Sequence, residues 1–168
     1  PGLIAEYNIP LDEYPRRCVS QIEWWKKQAR ELVANPRLEH TRTHEYASYI
    51  MEAMETNRAI QIGGNVLNNG LITNLPPKAC VEVPCLVDAN GVQGCAVGEL
   101  PEVCAAYNRT NINVQLLTIE AVLERRKDRI YQAAMLDPHT AAELTLDQIR
   151  ALCDDLIAAH GGWLPKFR

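Results

Sequence analysis

The side chains best suited to binding chemistry lie in one stretch, residues 63–84, which reads GGNVLNNGLITNLPPKACVEVP. The carboxamides of Asn65, Asn68 and Asn69 both donate and accept, the combination that matches sugar hydroxyls. Around them stand Gly63, Gly64 and Gly70 and the apolar Val66, Leu67, Leu71, Ile72 and Leu75. A plain core strand has little use for the amides, and a plain surface loop has little use for the aliphatics. Backbone that bends sharply while half buried uses both. The competing reading is turn chemistry, because asparagine caps loops and enters the left-handed region. Turn chemistry is the stronger reading for Asn68 and Asn69; for Asn65 the two stand level.

Other chemistries are served less well. His40 and His44 are four residues apart and could chelate a metal if both lay on one helix. Thr43 is the expected N-cap of that helix, which leaves His40 outside it. His44-Glu45 begins an HExxH match, but Ser48 stands where the second histidine belongs. The Gly63-Gly64 pair could admit a phosphate, yet neither GxGxxG nor GxxxxGK[ST] occurs. A dinucleotide or P-loop site made by these residues alone is not expected, and a bulge is the plainer account of the pair. Asp154-Asp155 and Glu99/Glu102 read as solvated surface, since adjacent helix positions point in different directions. Arg125, Arg126, Lys127 and Arg129 are interleaved with Glu124 and Asp128, as on a neutralised helix face. His139 follows Pro138 and reads as a loop histidine, whereas His160 suits a helix C-terminus. No Ser/His/Asp or Cys/His arrangement is legible from spacing.

The elements that must position these groups follow from periodicity. Val19, Ile22, Trp25, Ala29 and Leu32 mark an amphipathic helix, entered through a turn at 11–15 and ending near Asn35-Pro36; 37–42 is a polar loop. Ala47, Ile50, Met51 and Met54 mark a second helix, ended by Thr56-Asn57. A short strand at 59–62 is followed by the strong Asn69-Gly70 turn signal, after which Leu71-Ile72 resume pairing and Pro76-Pro77 mark a loop. The best strand is 79–87, with Val81, Val83 and Cys85 on one face, Glu82 on the other, and Pro84 suggesting an edge or an end. A turn at 88–91 leads into a strand at 92–97. Val103, Tyr107, Thr110, Val114, Leu117 and Ala121 predict a long helix after Pro101. A helix over 128–136 follows. Another opens on a Thr145/Gln148 capping box, carries Ile149, Leu152, Leu156 and Ala159, and closes at Gly161-Gly162. Helices, then short and mostly antiparallel strands, then helices predict an α+β fold.

The bulk properties set the class. The chain has 168 residues, with 47% hydrophobic and 23% charged residues and a net charge of −4. That balance gives no electrostatic reason to expect a nucleic-acid or anionic-membrane partner. No apolar run approaches membrane-spanning length. Cysteines occupy positions 18, 80, 85, 95, 104 and 153 without a CxxC pair, which argues against a zinc ribbon. With no secretion signal visible, reduced and mostly buried thiols and a cytoplasmic location are expected.

Six stretches, in order along the chain, carry a resemblance: PLDEYPRRC (10–18), EYAS (45–48), GNVLNNGLITNLPPKACVEVPCLVDANGV (64–92), TNINVQLLTIEAVL (110–123), DRIYQAAMLDPHTAAEL (128–144) and DDLIAAHGGWLP (154–165). Together they resemble the C-terminal part of glycoside hydrolase family four, and within it the α-galactosidase branch. The resemblance implies a domain over 1–168 like the C-terminal domain of lactate and malate dehydrogenases. It implies NAD and Mn²⁺ as cofactors of the intact enzyme, and an oxidation–elimination–addition–reduction route that departs from two-carboxylate hydrolysis. The family's Gly-rich fingerprint belongs to an N-terminal Rossmann domain not found in these residues, and the segments that supply its metal-binding Cys and His and its acid–base residues are not found in them either. The resemblance therefore assigns no catalytic, metal or cofactor role here, and it implies inertness of the chain alone. Asn65 and Asn69 are the candidates for a substrate-facing wall. An N-terminal Rossmann domain and further copies of the chain are the expected partners, and an α-galactoside is the expected substrate. A related α-glycosidase, such as an α-galacturonidase, and a stand-alone oligomerisation or binding module are the alternatives.

Overall fold

The computed structural model describes residues 2–35, 37, 39, 41 and 43–168, without the side chains of Gly2 and Leu3. Pro1, Pro36, His40 and part of the expected 37–42 loop lie outside the described residues. The chain divides into two units, residues 1–44 and 45–168.

The first unit contains α1 (Gly2–Glu6) and α2 (Glu13–Ala34). Pro15 sits in the first turn of α2, where its missing N–H has no helical partner to lose. Exposed pairs one turn apart, Arg16–Asp12 at 3.0 Å and Lys27–Glu31 at 3.7 Å, line its outer surface. The predicted apolar stripe is on the helix, but no residue of α2 is buried. Trp24 and Trp25 meet edge to face at 5.3 Å and both remain exposed.

The second unit has the expected α+β architecture. Its sheet is antiparallel, in the order β1 (Ile60–Leu67), β2 (Cys80–Asp88), β3 (Gly91–Gly94). Val81, Val83, Cys85 and Val87 of β2 point inward and are buried, while Glu82 points outward. With Ile72, Leu75, Ala79, Ala105 and Ile112, the first three of these form the core. β2 is central, yet Pro84 fits there. Its ring nitrogen faces the side where β3 has already ended at Gly94 and where its carbonyl accepts from the Cys95 N–H, so none of the paired positions of β3 loses a donor.

The glycine pair neither bulges nor ends the strand, which runs past the expected end at 62 to Leu67. Every residue of β1 has a partner on β2, including Gly63↔Pro84 and Gly64↔Val83. Gly64 answers instead to close packing: a Cβ there would lie 2.8 Å from the Sγ of fully buried Cys85. Gly64→Ala is therefore expected to destabilise the chain by about 1–3 kcal/mol through overpacking. Adding Cys85→Ala should recover part of that loss, a coupling that urea unfolding of the two single variants and the double variant would measure.

The helices are α3 (Ala47–Thr56), α4 (Glu102–Glu124), α5 (Lys127–Leu136), α6 (Pro138–Glu143) and α7 (Leu146–His160), the last followed by a 3₁₀ turn (Gly161–Trp163). Three starts and stops differ from expectation. α3 is capped by Tyr46, not Thr43, and so begins beyond His44. α6 was unforeseen: Asp137 accepts from the Thr140 N–H and Pro138 opens the helix, which places His139 in a first helical turn and not in a loop. β3 stops at Gly94, because the chain beyond it turns to residues 71–73, where the Val97 and Gly98 amides donate to the Leu71 carbonyl. Ile72 resumes pairing, but with Gly98 and in parallel.

The inward stripes also shift. Ala121 on α4 and Ile149 on α7 are buried as expected, and Ala53 on α3, Ala105 and Ile112 on α4 and Cys153 on α7 are buried beside them, while Met51, Met54, Val103, Tyr107 and Leu156 are exposed. Close approach of a helix leaves room only for small side chains at the contact line, so alanine and cysteine take positions that a search for large aliphatics passes over. The thiols are all free, and only Cys85 and Cys153 are buried, fewer than expected.

Candidate functional site

The amide-rich segment is built by its own asparagines. Asn69 and Gly70 have φ of 43° and 88°, and the Leu71 N–H donates to the Asn68 carbonyl at 2.7 Å, which makes the predicted tight turn. Asn68 is fully buried. Its Nδ2 donates to the carbonyls of Ile72, Leu75 and Pro76 at 2.9, 3.0 and 3.1 Å, and its Oδ1 accepts from the Ile72 N–H at 2.7 Å. Asn74, to which nothing in its local sequence draws notice, does the same between loops. Its Nδ2 donates to the Leu100 carbonyl at 2.8 Å and its Oδ1 accepts from the Leu100 N–H at 3.0 Å. Asn68 thus fixes the shape of the 68–76 loop, and Asn74 holds that loop against the entry to α4.

Asn65 is placed differently. It lies on the outward face of β1, opposite Glu82 on β2. Its side chain makes no hydrogen bond with the described residues, and it lines a hollow of about 630 Å³ with Cys80 and with Val114, Gln115 and Thr118 of α4. A second hollow of about 290 Å³, lined by Glu82, Asn108, Asn111, Ile112 and Leu100 among others, shares Cys80 and Gln115 with the first. The two hollows therefore adjoin at these residues. Asn69 lines neither hollow; its side chain is exposed at the turn. The structure thus separates the two candidate residues.

Helix α4 supplies groups that sequence reasoning missed. Asn108, Asn111, Gln115 and Thr118 are spaced three, four and three residues apart, so they share one helix face. Asparagine and threonine are poor interior helix residues, each up to about 0.7 kcal/mol less favourable than alanine. A solvated face has better choices in Lys, Glu and Arg. That local cost was the available signal, because departures from helix preference gather at functional surfaces.

The remaining candidates resolve as structure. Asp154 is not plain solvated surface. Its carboxylate accepts from the Tyr131 hydroxyl at 2.6 Å and pairs with Lys127 at 2.6 Å. Those two hydrogen bonds, Lys127 first, hold its titration below the usual carboxylate range and raise that of Lys127. Arg126 pairs with Asp128 and Glu124, and Arg129 with Glu120, as expected of a neutralised surface. His44 lies in a bend before α3, and among the described residues no group of three or more His, Cys, Asp or Glu could hold a metal ion.

The description "Family 4 glycosyl hydrolase C-terminal domain" matches residues 1–140. The chain is 61% identical over 168 residues, all of its own length, to an alpha-galactosidase of Bacillus subtilis (strain 168). It is 38% identical over 126 residues, 75% of its length, to an alpha-galactosidase of Rhizobium meliloti (strain 1021). It spans 39% and 26% of the lengths of these curated relatives. Among solved structures, a 6-phospho-alpha-glucosidase from gut microorganisms in complex with NAD and Mn²⁺ shares the fold. The TM-score is 0.77 over 90% of this chain and 36% of that one, at 22% identity.

Proposed function

The chain belongs to the family 4 glycosyl hydrolases as their C-terminal domain, and from that premise we propose that it forms one wall of the sugar site of an α-galactosidase. What supports the reading is the match along the whole chain with an enzyme of that name. The share of the relative left unspanned is the ground for proposing an NAD-binding Rossmann half as the domain's partner in the whole protein.

In such an enzyme the dinucleotide and a divalent metal, when bound, supply the redox and Lewis-acid chemistry. The described residues offer neither a metal-ligand cluster nor a Gly-rich phosphate loop, so they do not fit either group by themselves. Their part is binding and orientation. Asn65 is held on a paired strand, and its free amide can donate to one sugar hydroxyl and accept from another. Asn69, whose backbone the turn locks, is the second substrate-facing candidate.

Replacing Asn65 with alanine in the whole enzyme should lower kcat/KM for an aryl α-galactoside about tenfold, the worth of a good hydrogen bond. The unfolding midpoint of the chain should move little, since the residue is exposed and unpaired. The reverse pattern would make Asn65 a structural residue. A panel of aryl α-galactoside, α-galacturonide and 6-phospho-α-glucoside, given to the whole protein with NAD⁺, Mn²⁺ and reductant, tests the substrate. Preference for either of the last two would replace the α-galactosidase reading, and turnover of none would favour a binding or assembly module.

The domain is also proposed to assemble with further copies. The exposed apolar side chains of α2, among them Val19, Ile22, Trp25 and Leu32, support this, since such surface favours association. A cytoplasmic location is proposed with it, and no described helix is long and apolar enough to cross a membrane.

A further inference from the structure

We infer that the open edge of β1 is the surface that binds a second copy of the chain, the two β1 strands pairing antiparallel about a two-fold axis. The inference rests on the assembly proposed above and names the surface that carries it. β1 is an outer strand of the sheet, hydrogen-bonded to β2 on one side only. Along an antiparallel pair, residues whose N–H and C=O groups reach the partner strand alternate with residues whose groups point away. Pro84 fixes which set is which. It has no N–H to exchange with its partner Gly63, and its carbonyl accepts from Cys95 on the β3 side. Gly63 therefore turns its own N–H and C=O away from β2, and Gln61, Asn65 and Leu67 do the same. Among the described residues, only the Tyr46 hydroxyl bonds to this edge, donating to the Gly63 carbonyl at 3.1 Å.

This edge lacks the features that keep strands apart. Exposed edges are blunted by short length, charged side chains, proline or a bulge. The opposite edge has the first of these: β3 is four residues long, and the chain leaves it to bond with residues 71–73. β1 is eight residues long, reads IQIGGNVL, and keeps a partner on β2 at every position. Its inner face is also incomplete. Val81, Val83, Cys85 and Val87 of β2 are buried, whereas Ile60, Ile62, Gly64 and Val66 of β1 are only half-buried on the same face. A strand laid along β1 supplies the missing side of that layer, and a second β1 fits as that strand. With the two-fold axis at Gly64, Ile62 of each copy stands opposite Val66 of the other on the inner face, and Gly63 opposite Asn65 on the outer. Gly64 then meets its own counterpart at a non-hydrogen-bonded pair, the closest approach in a ladder. No like charges meet, because β1 carries none. Each contact occurs twice, as a two-fold interface requires.

The test follows backbone amide hydrogen exchange, residue by residue, and sedimentation of the 168-residue chain over a range of concentrations. The chain should form a dimer, and as it forms the Gln61, Gly63, Asn65 and Leu67 amides should slow about tenfold or more. The Ile62, Gly64 and Val66 amides, already turned toward β2, should change far less. Gln61→Pro sets a ring on the edge without removing a donor from the β1–β2 ladder, and should leave the chain a folded monomer. A Gln61→Pro dimer as stable as the wild type would overturn the inference. A wild-type dimer whose edge amides stay unprotected would also overturn it, and would leave assembly through α2 standing. A chain that is monomeric at every concentration would overturn both. Edge amides protected equally at every dilution would place a segment of the same chain on β1 and overturn the inference alone. Should Gln61→Pro not fold, exchange in the wild-type chain decides by itself.

Discussion

Replacing Asn68 with leucine is expected to lower the unfolding free energy of the chain by about 3–5 kcal/mol. The side chain is fully buried and its amide meets three carbonyls and one N–H. Leucine fills similar space but offers no partner, so those four backbone groups stay buried and unpaired. Each such orphan costs about 1–3 kcal/mol, reduced where the loop relaxes or admits water. Aspartate should be as damaging near neutral pH, because it keeps one acceptor, loses both donors and turns a negative charge toward the carbonyls of Ile72, Leu75 and Pro76. Total stability of a domain is about 5–15 kcal/mol, so the loss is a large fraction of it. Urea unfolding reads the effect as a lower midpoint with an unchanged slope. A loss under about 1 kcal/mol would mean that the 68–76 loop holds its shape without the amide.

Features set by neighbours in the chain are legible in the amino-acid sequence alone. The Asn69-Gly70 turn needs only positive φ at two positions, and the Thr145/Gln148 box needs only three residues of spacing; both form as expected. The alternation of β2 is equally plain, because a strand with one buried face writes its period into the sequence. Features set by distant partners are not legible in this way. Gly64 is glycine because Cys85 packs against it across the sheet, and nothing within β1 announces that. The helix stripes mislead where small residues such as Ala105 and Cys153 make the closest contacts. The two hollows draw their lining from positions between 65 and 82, from Leu100 and from α4, so their members are joined only by the packing of segments distant in the chain. The family is readable because its ordered motifs run nearly the whole chain. The lining of the hollows is readable only in part: of the amides singled out, Asn65 alone reaches one of them.

The second large effect concerns what the domain does without its partner half. Binding and orientation are the role proposed for the Asn65 wall, but the described residues contain no cluster able to hold a metal ion, and the sequence has no Gly-rich dinucleotide fingerprint. Orientation of a substrate adds rate only when the reacting groups are also in place. Activity should therefore be all or nothing with respect to the proposed NAD-binding half, not graded. The most direct measurement compares the purified 168-residue chain with the whole protein. Each is given an aryl α-galactoside, NAD⁺, Mn²⁺ and reductant, and release of the aryl group is followed. The whole protein should cleave the galactoside and the chain alone should release nothing above the protein-free control; turnover by the chain alone, or none by the whole protein, would contradict the account.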